Sequence, residues 1–328
     1  MAFTYHAHNL FAPGALETGV AAIDWFRLYG YLFVDLFFLL SGYIFAHVYL
    51  GRAHSFGQAD LADFAVARIA RLYPLHVVLL LATAALFWGR PENTPLAFAA
   101  HLAMLQAFVV PVAHTFVGPS WSLSVEAVCY VLFACAAAAG PRRLKQVTGI
   151  AVAAGLILLL AHHSAGGAYT RDNLPRGLLG FFLGQVLWHQ RARLARVPAS
   201  TLWGILAVGV LFPREPFGAI LPYALLVFPA ALLLGLRLGW LGSRPLVWLG
   251  DRSYAIYLIH LPLLELVVQQ QGRIAGAGWK EALGFAGFVA GTLLLANLAL
   301  RFIEHPARAA IRAGWQRWQR SAAPLVPA

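Results

Sequence analysis

Charge is what this sequence has least of. Only 11% of its 328 residues are charged, where a soluble domain of ordinary composition carries about 25%. With 60% of the chain hydrophobic, that shortage excludes an ordinary soluble fold. Cysteine is nearly missing as well. Cys129 and Cys135 fall within one apolar run, so they read as reduced packing residues and not as a disulfide or a metal site. No metal-ligand spacing, phosphate-binding glycine loop or serine-hydrolase elbow occurs, and no bound metal is expected. Met1–Leu10 has no basic start followed by an apolar run, so no cleavable leader is expected. No internal repeat is visible, which weighs against an inverted-repeat transporter. Acidic residues are few, 13 against 24 lysines and arginines. The resulting net charge of +11 does not mark a nucleic-acid partner, because the basic residues fall between apolar runs, as the positive-inside rule expects.

What the chain does have is one long apolar run after another. Backbone groups in lipid must find their hydrogen bonds internally, so repeated runs imply helices. The period-two alternation of a membrane barrel is missing. An all-α, polytopic transmembrane helix bundle is therefore expected. Spans fall at 30–50, 72–88, 120–139, 147–163, 176–190, 201–213, 217–236, 246–268 and 282–303. The stretch 96–112 is short and interrupted by His101, Gln106 and Pro111, so it either crosses or turns back. Charge decides. If it turns back, Arg68, Arg71, Arg142, Arg143, Lys145, Arg191, Arg193, Arg196, Arg237, Arg244 and the basic residues after 307 share one side. The expectation is about nine full spans plus one re-entrant segment, with the N-terminus outside and the C-terminus cytoplasmic. The chain reads as one membrane-embedded domain over 1–328. Residues 1–12 are the stump of an incomplete first helix, 11–29 a loop, 52–70 a polar connector, and 308–328 a basic cytoplasmic tail.

Six features could carry chemistry. Glu126 lies near the start of the run opened by Ser120-Trp121-Ser122. Ionising a carboxylate in hydrocarbon costs on the order of 3 kcal/mol or more, so such a group is paired, hydrated or used. Ser122 and Glu126 are four apart and share a helix face; the plainer reading is an interfacial helix start, with Trp121 and Tyr130 as interface aromatics. Asp35 and Gly42, seven apart in the span that also holds Ser41, should face inward beside a close helix contact. Arg68 and Arg71, three apart before Pro74, could clamp phosphate oxygens or anchor lipid headgroups. Ser253, Tyr257 and His260 form one polar stripe in an apolar helix, either a packing ladder or a substrate lining. Arg176, just after Pro175, could pair with Glu126 or Asp35 or snorkel. His6, with His8 beside it, could act as a general base or be an interfacial polar residue.

Read in order, several stretches resemble the acyltransferase-3 family of bacterial integral-membrane acyltransferases. They are Tyr5-His6-Ala7-His8, the run Val34–Tyr43 around Asp35 and Ser41-Gly42, Ala67-Arg68-Ile69-Ala70-Arg71-Leu72-Tyr73-Pro74, Trp121–Glu126, Arg176-Gly177, Leu249–His260 and Glu304-His305-Pro306. The resemblance implies a roughly ten-helix bundle in the bacterial inner membrane that moves an acyl group, usually acetyl, from cytoplasmic acyl-CoA to a hydroxyl, mostly of a cell-envelope glycan. It implies His6 and Glu126 as catalytic residues, His6 as base or transient acyl carrier. It implies Arg68 and Arg71 on the phosphates of acetyl-CoA. Asp35, Ser41, Trp121, Ser122, Arg176, Ser253, Tyr257 and His260 would line the acceptor path. In the family an arginine precedes the key histidine by eleven positions, which here would fall before Met1. The competing expectation is a flippase or exporter of a lipid-linked glycan, since intramembrane acids and histidines also serve transport. A membrane protein with only remnant motifs is the third.

Overall fold

The computed structural model describes Trp25 and residues 28–51, 56–162, 171–213, 218–269 and 278–322. Among these residues every regular element is helical. Helix α1 (Phe33–Phe45) is extended by turns at both ends into a run over Gly30–Leu50. It is followed by α2 (Asp60–Phe87), the short α3 (Pro95–Leu102), α4 (Trp121–Ala138), α5 (Pro141–Ala161) and α6 (Asn173–His189). Then come α7 (Ala199–Leu211), α8 (Ile220–Gly235), α9 (Arg244–Val268) and α10 (Gly278–Ala299), the last joined through a π turn to α11 (His305–Ala322). Among the described residues five helical runs are long and apolar enough to cross a membrane: Gly30–Leu50, Asp60–Phe87, Gly118–Ala138, Pro141–Ala161 and Ala282–Ser321. Helices α6, α7 and α8 fall short of 18 residues and α9 is polar in its first half. A bundle of apolar helices stands, but nine complete crossings do not follow from it.

Two elements differ from expectation. Residues 52–70 read as a connector, yet α2 begins at Asp60 and runs 28 residues. Asp60 and Asp63 lie in its first turn, where the helix dipole favours acids, and no glycine or proline interrupts Asp60–Tyr73. Pro74 sits inside the helix and forfeits one backbone bond. Arg68 and Arg71 therefore project from within a long helix and not from its mouth. The basic tail likewise folds as far as it is described, as amphipathic α11 to Ala322. Trp315 Nε1 and Gln319 Nε2 both donate to Asp63 Oδ1, at 2.5 and 2.9 Å, which lays α11 along the first turns of α2.

The segment 96–112 makes only the eight-residue α3, capped by the Thr94 hydroxyl, and continues in 3-10 turns to Ser120. At about 1.5 Å per residue α3 spans ~12 Å, well under a ~30 Å hydrocarbon core. Irregular backbone inside a bundle needs partners, and side chains supply them. Gln106 Nε2 donates to the Ser120 carbonyl at 2.7 Å, Phe116 N to Asn93 Oδ1 at 3.0 Å, and His76 Nε2 meets the His101 carbonyl at 2.8 Å. All three polar side chains, Gln106, Asn93 and His76, are buried.

Helices α1 and α6 make the closest contact, because glycine allows it. A Cβ on Gly42 would sit 1.7 Å from the Phe181 carbonyl oxygen, and one on Gly184 2.1 Å from that of Leu39. Small residues that let backbones touch are the usual solution where lipid supplies no hydrophobic drive between helices. A cluster of rings then fills the space between α1, α2, α4 and α6. Phe45 stacks on Tyr130 at 4.4 Å, and Phe64, Phe133 and Phe181 pack edge-on around the Phe45 ring.

Candidate active site

Four helices that are far apart in sequence converge on one cavity of about 370 Å³, within the size range of small-molecule sites. Helix α1 contributes Ser41 among apolar neighbours, α2 Arg68 and Arg71, α4 Ser122, Glu126 and Tyr130, and α9 Ser253, Tyr254 and Tyr257. On α4, the i, i+4 spacing puts Ser122, Glu126 and Tyr130 in one column. On α9, Ser253 and Tyr257 share a face for the same reason.

Glu126 is held from two sides. Ser41 Oγ donates to its Oε1 at 2.7 Å, and the Tyr130 hydroxyl donates to the same oxygen. Arg68 and Arg71 lie close enough for their charges to act on the carboxylate. Arg68 is set in a cage of rings: its guanidinium lies 5.0 Å from the Phe45 centroid, 5.9 Å from Tyr49 and Phe64, and 6.0 Å from Tyr130. Cation–π attraction holds a guanidinium there without consuming its N–H donors, and Arg68 Nε has no hydrogen-bond acceptor among the described residues. Arg71 stacks over Tyr254 at 5.2 Å and pairs with Glu304. The Tyr254 hydroxyl is used on the Leu72 carbonyl at 2.5 Å, tying α9 to α2.

Further along α1, toward its N-terminus, Asp35 and Arg176 form a second buried polar centre. Arg176 Nε donates to Oδ1 at 2.9 Å and Nη2 to Oδ2 at 2.8 Å, with the two side chains 2% and 0% exposed. The guanidinium stacks over buried Trp121 at 5.3 Å. Of the two acids open to Arg176 in the sequence, Asp35 is the one it pairs with. None of Asp35, Trp121 and Arg176 lines the cavity. Between the two centres, Tyr257 donates to the Pro119 carbonyl at 2.8 Å and lies 2.9 Å from Ser122 Oγ. His260, the third member of the α9 stripe, turns its Nδ1 to the Tyr257 carbonyl at 2.7 Å and does not line the cavity. His6, with His8, lies outside the described residues.

The structure thus gathers Ser41, Arg68, Arg71, Ser122, Glu126, Ser253 and Tyr257 at one cavity. Sequence reading missed three partners. Tyr130 is four residues from Glu126, a spacing that was legible, although it read as an interface aromatic. Tyr254 and Glu304 reach Arg71 only through space, the latter from 233 residues away. Among the described residues no group of three His, Cys, Asp or Glu could hold a metal ion. Chemically, the cavity offers guanidinium donors for an anion, a carboxylate to accept or orient a hydroxyl, and phenols and alcohols as hydrogen-bond partners.

Comparison with known proteins agrees with these motifs. A family model described as "Acyltransferase domain" matches residues 2–301. The chain is 29% identical to the putative peptidoglycan O-acetyltransferase YrhL of Bacillus subtilis, over 85% of this chain and 50% of that protein. It is 28% identical to the acyltransferase MdmB of Streptomyces mycarofaciens, over 84% of this chain and 77% of that one. It is 24% identical to the O-acetyltransferase OatA of Staphylococcus aureus, over 85% and 53%. The chain therefore spans about half the length of YrhL and OatA. No solved structure matches.

Proposed function

Because the chain belongs to this acyltransferase family, we propose that it is a membrane-bound O-acyltransferase whose donor is a cytoplasmic acyl-CoA, acetyl-CoA first, and whose acceptor is a hydroxyl of a cell-envelope glycan. The observation that carries this reading is the meeting of Arg68, Arg71 and Glu126 on one cavity. Arg68 and Arg71 bind the donor's phosphates; the unpartnered Nε of Arg68 fits an anion. The acyl-pantetheine arm lies in the cavity toward Glu126. The acceptor oxygen attacks the thioester carbonyl, the C–S bond breaks, and CoA leaves as the thiol after taking up a proton. His6 removes the proton from the acceptor hydroxyl, or first carries the acyl group itself. Glu126, fixed by Ser41 and Tyr130, orients that histidine or the sugar hydroxyl. Ser122, Ser253 and Tyr257 line the acceptor's approach, and Asp35, Trp121, Arg176 and His260 brace that approach from behind. The segment 96–112 turns back within the membrane, the protein lies in the inner membrane, and α11 rests at its cytoplasmic face.

The test is acetyl transfer by the purified chain in nanodiscs. Labelled acetyl-CoA and envelope glycans are supplied, and release of CoA thiol is followed together with label on the glycan. Transfer that is lost in Glu126→Ala is the expected result. Absence of both donor binding and transfer sinks the reading, and movement of a lipid-linked glycan without chemistry takes its place.

A further inference from the structure

The pairing of Arg71 with Glu304 brings a third guanidinium, that of Arg308, next to an arginine that lines the cavity. Glu304 is 1% exposed, and its Oε2 faces two arginines, Arg71 from α2 and Arg308 from α11, the latter at 3.6 Å. A single carboxylate cannot neutralise both, and the charges of Arg312, on the exposed side, and of Arg68 reach Arg308 as well. Helix register explains the convergence. Contacts from Glu304 to Arg71 and from Trp315 to Asp63 run α11 antiparallel to the first turns of α2. Arg308, one turn beyond Glu304, then falls beside Arg68, one turn before Arg71.

The donors are there without acceptors. Nε of Arg308, like Nε of Arg68, is buried and finds no hydrogen-bond acceptor among the described residues, and Nη2 of Arg308 meets Glu304 only at ion-pair distance, 3.6 Å, without a hydrogen bond. An arginine that merely anchors a helix end spends its N–H groups on carbonyls or a carboxylate. One that keeps them unmet beside two other guanidiniums has the makings of an anion site, because a guanidinium fork matches phosphate oxygens in pairs. We propose that Arg308 is the third ligand of a polyphosphate site made jointly by α2 and α11, with Glu304 as the pivot that sets Arg71 and Arg308 on either side of the anion. Taking that anion to be the phosphates of an acyl-CoA rests on the proposed function; the site itself does not.

The test uses the full chain in phosphatidylcholine nanodiscs, with acetyl-CoA and inorganic diphosphate as separate probes. Arg308→Gln is compared with Arg312→Gln, which removes an equal charge from an exposed position one turn on. Arg308→Gln is expected to weaken both probes about tenfold, the loss of a charge-assisted pair, and Arg312→Gln to stay within about twofold. Equal losses in the two variants, or none in Arg308→Gln, overturn the inference while leaving the acyl-CoA reading in place. If the parent chain binds diphosphate but not acetyl-CoA, and only Arg308→Gln loses diphosphate, the site stands and the acyl-CoA reading falls. Should Arg308→Gln fail to fold, Arg308→Lys carries the test, since it keeps the charge beside Glu304 and loses the fork. A severalfold drop in diphosphate affinity supports the site, and an unchanged affinity overturns it.

Discussion

Two arginines in this protein have similar surroundings and opposite connections. Arg176 and Arg68 both lie against aromatic rings deep in the bundle. Arg176 is locked to Asp35 by two short bonds, with the pair sealed from every side. Arg68 has four rings around it and, among the described residues, no carboxylate paired to it. The first arrangement is closed: it fastens α6 to α1, and although Nη1 of Arg176 finds no hydrogen-bond partner among the described residues, the guanidinium is neutralised by Asp35 and does not line the cavity. The second is held in place by attraction that leaves its hydrogen-bonding capacity open. A buried charge that is neutralised by a carboxylate speaks for architecture. One that is positioned but unpaired speaks for binding.

The comparison breaks most sharply at Asp35. Asp35→Ala leaves Arg176 buried without its partner, a loss of about 3–5 kcal/mol. Thermal unfolding in detergent should show a large fall in midpoint, while protein that does fold keeps its acetyl-CoA affinity. Arg68→Gln should do the reverse, with donor affinity down about tenfold or more in equilibrium binding and the midpoint nearly unchanged, because no buried partner is stranded. Equal destabilisation by both variants would abolish the distinction. Tyr130→Phe keeps the ring that stacks on Phe45 and removes one donor to Glu126. A net hydrogen bond of about 1 kcal/mol predicts a severalfold lower transfer rate at unchanged donor affinity. The smallest effect belongs to Cys135→Ser, an exposed free thiol outside the cavity; stability should move by no more than about 0.5 kcal/mol and transfer should be unaltered.

Periodicity carried part of this architecture. The seven-residue interval from Asp35 to Gly42 pointed to an inward acid beside a close helix contact, and both sit against α6. The four-residue interval from Ser122 to Glu126 put both on the face that lines the cavity. Local chemistry also located Arg68 and Arg71, but their depth was misjudged, because hydropathy averages over charges that a long helix can bury against neighbours. What no local pattern can express is partnership between distant segments. Nothing near Arg176 in the chain chooses Asp35 over Glu126, and nothing near Arg71 announces Glu304. The same limit applies to α11, whose basic composition reads as a tail until Asp63 gives Trp315 and Gln319 a place to dock.

The glycine contact between α1 and α6 has a mechanical consequence. Where backbone touches backbone there are no rotamers to exchange, so these two helices move as a single stiff beam. The opposite wall of the cavity is built differently. There α2 meets α9 through Tyr254 and meets the π turn after α10 through Arg71 and Glu304, contacts made by long side chains and not by backbone. The backbone contact thus gives Ser41, and the carboxylate it holds, a fixed mount on one wall of the cavity.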